Sequence, residues 1–419
     1  MRDLLLAFLA TAFLLPLPAA AAPSRDSDGR LADLRLYNEA AVDDGLVFLF
    51  SEGAGWSATD EEDARAVAAA GYAVVGLDGA ATLARAQAAE QGECIYLVSD
   101  IEALSKALRR RAGAASYHSP VLAGRGLGGL LAEVALAQAP AATVAGAAAI
   151  APDAALPGRL PFCPGARAER RDAGFGYALQ ADLPGWLDAR ADAGGGLVAA
   201  IQEGQAGRDG DGPLSDLPLV ALPSQGRPRA LAVVFSGDGG WRDLDKQIAE
   251  ILAKRGVAAV GWDSLRYFWS EKTPATVAAD LSRVLRHYRK AWAVDRVLLI
   301  GYSFGADILP AVIADLPATD RSAVVQVSLL GLGPSAHFKI EVEGWLGIDA
   351  AGGSPIEPAL DRLAPGRVQC FMGREEEDSL CRNRYFDSAE RIVTDGGHHF
   401  DGDYEALAAR ILAGLDKRG

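Results

Sequence analysis

Histidine is scarce in this chain, five among 419 residues, so any chemistry that needs an imidazole must use His118, His287, His337, His398 or His399. Cysteine is scarcer, with four residues, no CxxC pair and no histidine grouped with them, spacings that speak against a zinc site. Basic side chains fall short of acidic ones, 41 against 55, and the formal charge of −14 argues against a nucleic-acid binder, which needs a basic face. After the first residues no uninterrupted apolar run reaches the roughly 20 residues that span a bilayer. Apolar residues themselves are plentiful, at 50% against 23% charged, which excludes a disordered or collagen-like chain.

What is present begins with an address. Arg2 precedes an apolar stretch, Leu4 to Leu17, that leads through Pro18 into Ala19-Ala20-Ala21-Ala22. This is the order of a secretory signal, with a retained N-terminal anchor as the alternative. Cleavage after residue 21 would leave a soluble protein in an oxidising compartment, where four cysteines can form two bridges. Cys370 and Cys381 would pair around an acidic loop, and Cys94 and Cys163 would pair within the first half.

The length fits two domains, and an internal repeat says they are two copies of one plan. Val47 to Trp56 resembles Ala232 to Trp241, and Gly71 to Asp78 resembles Gly256 to Asp263; both blocks are offset by 185 positions. Each reads as an apolar strand, a glycine-rich turn, a polar helix and a second apolar strand, a rhythm that predicts parallel sheets covered on both faces. The expected fold is therefore α/β, in two tandem domains with mostly parallel sheets. Residues 22–205 form the first domain and 229–419 the second. Residues 206–228 are a linker, or a linker plus the first strand of the second copy.

The second copy holds the chemistry. Val297-Leu298-Leu299-Ile300 leads into Gly301-Tyr302-Ser303-Phe304-Gly305 and a helix. G-x-S-x-G between strand and helix is the nucleophile-elbow pattern, whose glycines permit the tight turn that raises Ser303 above the sheet. Such a serine needs an acid and then a histidine further along. A strand at Val368 to Met372 ends in Glu375-Glu376-Glu377-Asp378, and a strand at Arg391 to Thr394 ends in Gly396-Gly397-His398-His399-Phe400. His399 is the preferred base with His398 the alternative; Asp378 is the preferred acid with Glu376 the alternative.

The backbone N–H of Phe304 and that of Asp238 or Gly239, in the turn after an early strand, are the expected oxyanion donors. That turn lacks the lysine and Ser/Thr of a phosphate-binding loop. The Asp238 carboxylate either attracts a cationic substrate or caps the helix that begins near Trp241; Tyr302 and Trp241 are further candidates for substrate contact. No cofactor or metal is expected. The first copy reads Gly124-Arg125-Gly126-Leu127-Gly128 at the elbow, and its only histidine, His118, precedes it. It is expected to be catalytically empty, so that the chain reads as two tandem α/β-hydrolase-like domains of which the N-terminal one is degenerate.

Ser236-Gly237-Asp238-Gly239-Gly240-Trp241, Asp263-Ser264-Leu265-Arg266-Tyr267-Phe268-Trp269 and Gly301-Tyr302-Ser303-Phe304-Gly305-Ala306-Asp307 together resemble the VirJ/AcvB family of bacterial periplasmic virulence proteins, in its long, AcvB-like form. The resemblance covers roughly residues 228–410. It implies a serine esterase that cleaves the aminoacyl ester of lysyl-phosphatidylglycerol at the membrane surface, with Ser303 as nucleophile and a histidine of the Gly396–Phe400 loop as base. Two other readings stand beside it: a periplasmic adapter that binds secretion-system proteins on a hydrolase scaffold, and a carboxylesterase or thioesterase of other substrate. The rings of Tyr267, Phe268 and Trp269 would either meet lipid or pack in the core.

Overall fold

The computed structural model describes residues 25–26, 29–192, 196–206, 213–340 and 353–418; the expected signal segment, 1–21, lies outside them. Two seven-stranded sheets follow one another along the chain. The first is built from β1 (Arg25–Asp26), β2 (Leu34–Tyr37), β3 (Leu46–Phe50), β4 (Ala73–Leu77), β5 (Val121–Arg125), β6 (Gly146–Ile150) and β7 (Trp186–Arg190), in the order β1-β2-β4-β3-β5-β6-β7. The second uses β8 (Leu219–Leu222), β9 (Ala230–Phe235), β10 (Val257–Trp262), β11 (Val297–Tyr302), β12 (Val324–Leu330), β13 (Val368–Gly373) and β14 (Glu390–Thr394), in the order β8-β10-β9-β11-β12-β13-β14. Strand β8 lies inside the stretch expected as linker and pairs antiparallel with β10, while the strands from β9 to β14 pair parallel. This is the α/β-hydrolase order, present twice.

The central strands read as continuous Val/Ile/Leu/Ala runs because both faces are covered. Every residue of β3, β4, β9, β10 and β11 is buried. Around the sheets lie α1 (Ala58–Ala69), α2 (Gly79–Ala89), α3 (Val98–Arg111), α4 (Gly126–Gln138), α5 (Leu197–Gln205), α6 (Asp243–Lys254), α7 (Pro274–Ala291), α8 (Phe304–Asp315) and α9 (Tyr404–Lys417).

The 185-residue offset recurs in atomic contacts. The Ser51 hydroxyl accepts the Gly79 N–H at 3.0 Å, and the Ser236 hydroxyl accepts the Ser264 N–H at 2.9 Å. The Trp56 ring fills the space beside Gly76 as the Trp241 ring does beside Gly261, where an added Cβ would come within 2.4–2.5 Å of the indole. The copies differ at their edges. The second sheet carries β14 beyond β13, and among the described residues the first ends at β7 with no counterpart.

Both expected disulfides are present, Cys94–Cys163 and Cys370–Cys381. The halves meet through α3. The Arg110 guanidinium stacks 3.5 Å from the Trp269 ring centroid and donates to the carbonyls of Trp269 and Ile340; the Trp269 indole N–H donates to the Ala114 carbonyl at 3.0 Å. Tyr267, Phe268 and Trp269 are 7%, 0% and 1% exposed. All three rings are therefore core and interface, and none is free to meet lipid.

Candidate active site

Ser303 sits between β11 and α8 with φ 51° and ψ −120°. That left-handed backbone is costly for a residue with a Cβ and persists only where its surroundings hold it. Here the flanking glycines permit a close approach. A Cβ on Gly301 would lie 2.3 Å from the Gly305 carbonyl oxygen, and one on Gly305 would lie 2.4 Å from that of Phe235. The Ser303 N–H is tied to the Leu330 carbonyl at 2.8 Å. The side chain is thereby raised at the carboxyl end of the sheet, where open α/β sheets bind ligands.

Three side chains from three loops meet there. The Ser303 hydroxyl lies 2.8 Å from His398 Nε2, and His398 Nδ1 lies 2.7 Å from Glu376 Oε1. The other Glu376 oxygen accepts the Gly373 N–H at 2.6 Å. Burial pushes the Glu376 carboxyl up, but the hydrogen bonds from His398 and Gly373 outweigh it and hold the group below the usual carboxylate range. The Glu376 contact likewise raises the His398 imidazole above its ordinary value against the opposing effect of burial, with the charges of Asp307 and Asp238 adding to it.

The preferred histidine and acid of the sequence reading are both displaced by their alternatives. Phe400 is 5% exposed and anchors the loop in the core, and its N–H closes a tight turn on the Gly397 carbonyl at 2.8 Å. This turn sends His398 to the serine, while His399 Nδ1 lies 2.9 Å from the Tyr302 hydroxyl. On the acid side, the Glu376 N–H bonds the Gly373 carbonyl at 3.1 Å, which brings this residue back against the strand end. Asp378, two residues on, is exposed.

Trp241 is 2% exposed and packs in the core, and Tyr302 is 7% exposed with its hydroxyl engaged by the histidine loop. Neither offers a free face to substrate, so both sequence expectations are corrected. Asp238 does not cap α6, which starts at Asp243 behind Arg242 without a side-chain cap. Asp238 and Gly239 are half-buried within the turn after β9. Phe304 is the first residue of α8, so its N–H is among those that helix geometry leaves without a partner. The sequence reading missed Asp307, one turn along α8 from Ser303, which accepts the Gly333 N–H at 2.7 Å and whose carboxyl burial pushes up to about 7. Its spacing of four from the serine in a helix was the available signal.

Residues 229–419 match the model of a family described as bacterial virulence protein VirJ. The C-terminal half belongs to the VirJ family. No curated protein matches the chain. Similar solved structures include Est1E from Butyrivibrio proteoclasticus, 13% identical over 48% of this chain and 92% of that one, with a TM-score of 0.35. MenH from S. aureus is 11% identical over 48% and 98%, TM-score 0.35, and the poly(3-hydroxybutyrate) depolymerase LpqC from Bordetella parapertussis is 18% identical over 47% and 83%, TM-score 0.33.

The first domain shows the same elbow without the chemistry of the VirJ half. Gly126 takes the serine's place with φ +49°, and the N–H after it, on Leu127, is occupied by the Glu52 carbonyl at 3.0 Å. Among the described residues its sheet has no strand equivalent to β14, which in the VirJ half leads into the histidine loop.

Proposed function

We propose that the VirJ domain is a serine hydrolase in which Ser303 is the nucleophile, His398 the base and Glu376 the orienting acid. The continuous chain of hydrogen bonds from Ser303 through His398 to Glu376 carries this reading. His398 Nε2 takes the hydroxyl proton as Ser303 Oγ bonds to an ester carbonyl carbon; the oxyanion is met by the Phe304 N–H and that of Asp238 or Gly239. Collapse breaks the ester bond, and His398 returns its proton to the departing alkoxide. Water, deprotonated by the same imidazole, then attacks the acyl-enzyme and frees the acid and Ser303.

The substrate we propose is the aminoacyl ester of lysyl-phosphatidylglycerol. Beside His398 lies a cavity of about 600 Å³ lined by Gly331–Pro334, Glu375–Ser379, Gly397 and His398. Its charged lining residues besides the histidine are all carboxylates, suited to the ammonium groups of a lysyl ester. The chain's charge of −14 and the VirJ resemblance support the same choice. A periplasmic location goes with it, supported by two disulfides and by the absence among the described residues of a helix long and apolar enough to cross a membrane.

The test is lysine release from vesicles containing lysyl-phosphatidylglycerol by the wild type and by Ser303→Ala. Release by the wild type alone is expected. Equal release by both sinks the nucleophile assignment. If neither releases lysine but the wild type still cleaves a neutral ester, the substrate is wrong and the hydrolase reading stands.

A further inference from the structure

The first domain lacks a nucleophile, yet it reaches the turn that carries the proposed oxyanion donors. Glu102, on α3 of the first domain, is 7% exposed. One of its carboxylate oxygens lies 2.7 Å from Lys106 Nζ one helical turn away, and the other accepts from Arg242 Nη1 at 2.9 Å across the domain boundary. Arg242 follows directly on the Ser236–Trp241 stretch, and its guanidinium lies against Gly239, where an added Cβ would be 3.1 Å from both Nε and Nη2.

That turn is anchored at its ends by Ser236 and by the buried Trp241 ring, while its middle carries few side chains. Gly237, Gly239 and Gly240 bring no side chains, and Gly240 is left-handed at φ +86°. Asp243, immediately beyond Arg242, is also left-handed at φ 46°, a conformation that a residue with a Cβ keeps only when its surroundings impose it. At its start the turn is pinned by the Ser236 N–H on the Trp262 carbonyl at 3.1 Å and by the Ser264 hydroxyl on the Ser236 carbonyl at 2.7 Å. At its far end Arg242 pairs with Glu102 at 2.9 Å and lies 3.7 Å from the Asp243 carboxylate. The Glu102 carboxylate also lies between two cations, so that removing its charge takes away the attraction that offsets the repulsion between Lys106 and Arg242.

We propose that Glu102 is a positioning residue for the reaction of the VirJ domain: through Arg242 it holds the Ser236–Gly240 turn so that its N–H groups face the developing oxyanion. The proposal rests on the serine-hydrolase reading. It gives the empty first copy a task, since the hole it lacks itself is braced in its neighbour.

The experiment uses the full-length protein with p-nitrophenyl butyrate as a soluble ester. Glu102→Gln keeps the shape and removes the charge; kcat is expected to fall about tenfold to a hundredfold, less than the 10²–10³ of losing a donor outright, with KM little changed. Arg242→Gln should behave alike and tests the same link from the other side if Glu102→Gln folds poorly. The double variant should be no slower than either single one, because each removes the same link. Arg110→Ala is the control. It strips a different contact between the domains and should lower the melting temperature with kcat unchanged. Wild-type kcat in Glu102→Gln, multiplying losses in the double variant, or an equal kcat loss in Arg110→Ala each overturns the proposal. The two readings fail differently: if Ser303→Ala is as fast as the wild type, the hydrolase reading falls and this proposal with it. If Ser303→Ala is inactive and Glu102→Gln is not impaired, only this proposal falls.

Discussion

The Tyr302 hydroxyl lies 2.9 Å from Nδ1 of His399, and it also donates to the His398 carbonyl at 3.3 Å. Two adjacent histidines are thereby given different work: His399 helps to hold the loop, and His398 faces Ser303. His398→Ala is expected to lower kcat on a soluble ester by three or more orders of magnitude, in line with loss of a general base and partner. His399→Gln retains a polar group for Tyr302 and should lose less than tenfold. Steady-state kinetics on the two variants decide the assignment, and a reversed ranking would make His399 the base.

The pH dependence follows from the Glu376 contact. His398 must be neutral to take the serine proton, and the Glu376 hydrogen bond holds its pKa above the ordinary 6.5 despite burial. The acid limb of kcat/KM should therefore rise through a midpoint above that value. In Glu376→Gln the raising interaction is gone, so the limb should move to lower pH while the plateau drops about a hundredfold or more. Profiles from about pH 5 to pH 9 for both proteins check this; a limb that does not move would mean that Glu376 is not the partner of His398.

Much of this was legible in the sequence for a physical reason. The elbow glycines are dictated by contacts of 2.3–2.4 Å, which admit no other residue, so they stand out as a pattern. The duplication is legible because Ser51 and Ser236, like Trp56 and Trp241, serve one packing plan twice. The choice between His398 and His399 was not legible, because it depends on where Phe400 is buried and on a hydroxyl 97 positions away. Glu376 over Asp378 depends on a single turn closing on Gly373. Glu102 left no signal at all, since its partner Arg242 lies 140 positions further on, in another domain.

Cys370 lies in β13 and Cys381 lies beyond the loop that presents Glu376, eleven positions on. Closing a ring of that size is worth roughly 3 kcal/mol by loop entropy. Replacing both cysteines by alanine should lower the melting temperature by about 10 °C for a domain of this size and reduce kcat, because the acid loop loses its tether to the strand. Calorimetry and ester kinetics on the double variant measure both effects, and an unchanged melting temperature would show that the ring adds nothing to the fold.

Asp307 gives a stability prediction with a definite sign. Burial pushes its carboxyl up to about 7, against 3.8 for an ordinary aspartate, and the Gly333 N–H and the neighbouring His398 only partly oppose this. The folded protein then holds a proton on Asp307 that the unfolded chain has released between about pH 4 and pH 7, so this group's contribution to stability falls as pH rises through that window and is flat above it. An asparagine side chain in its place would keep an oxygen for the Gly333 N–H and carry no charge at any pH. Asp307→Asn should therefore gain melting temperature relative to the wild type at pH 8 and gain little at pH 4.5. Thermal unfolding of both proteins across that range tests it. A difference that is constant with pH would mean that Asp307 titrates in the folded protein as it does in the unfolded chain.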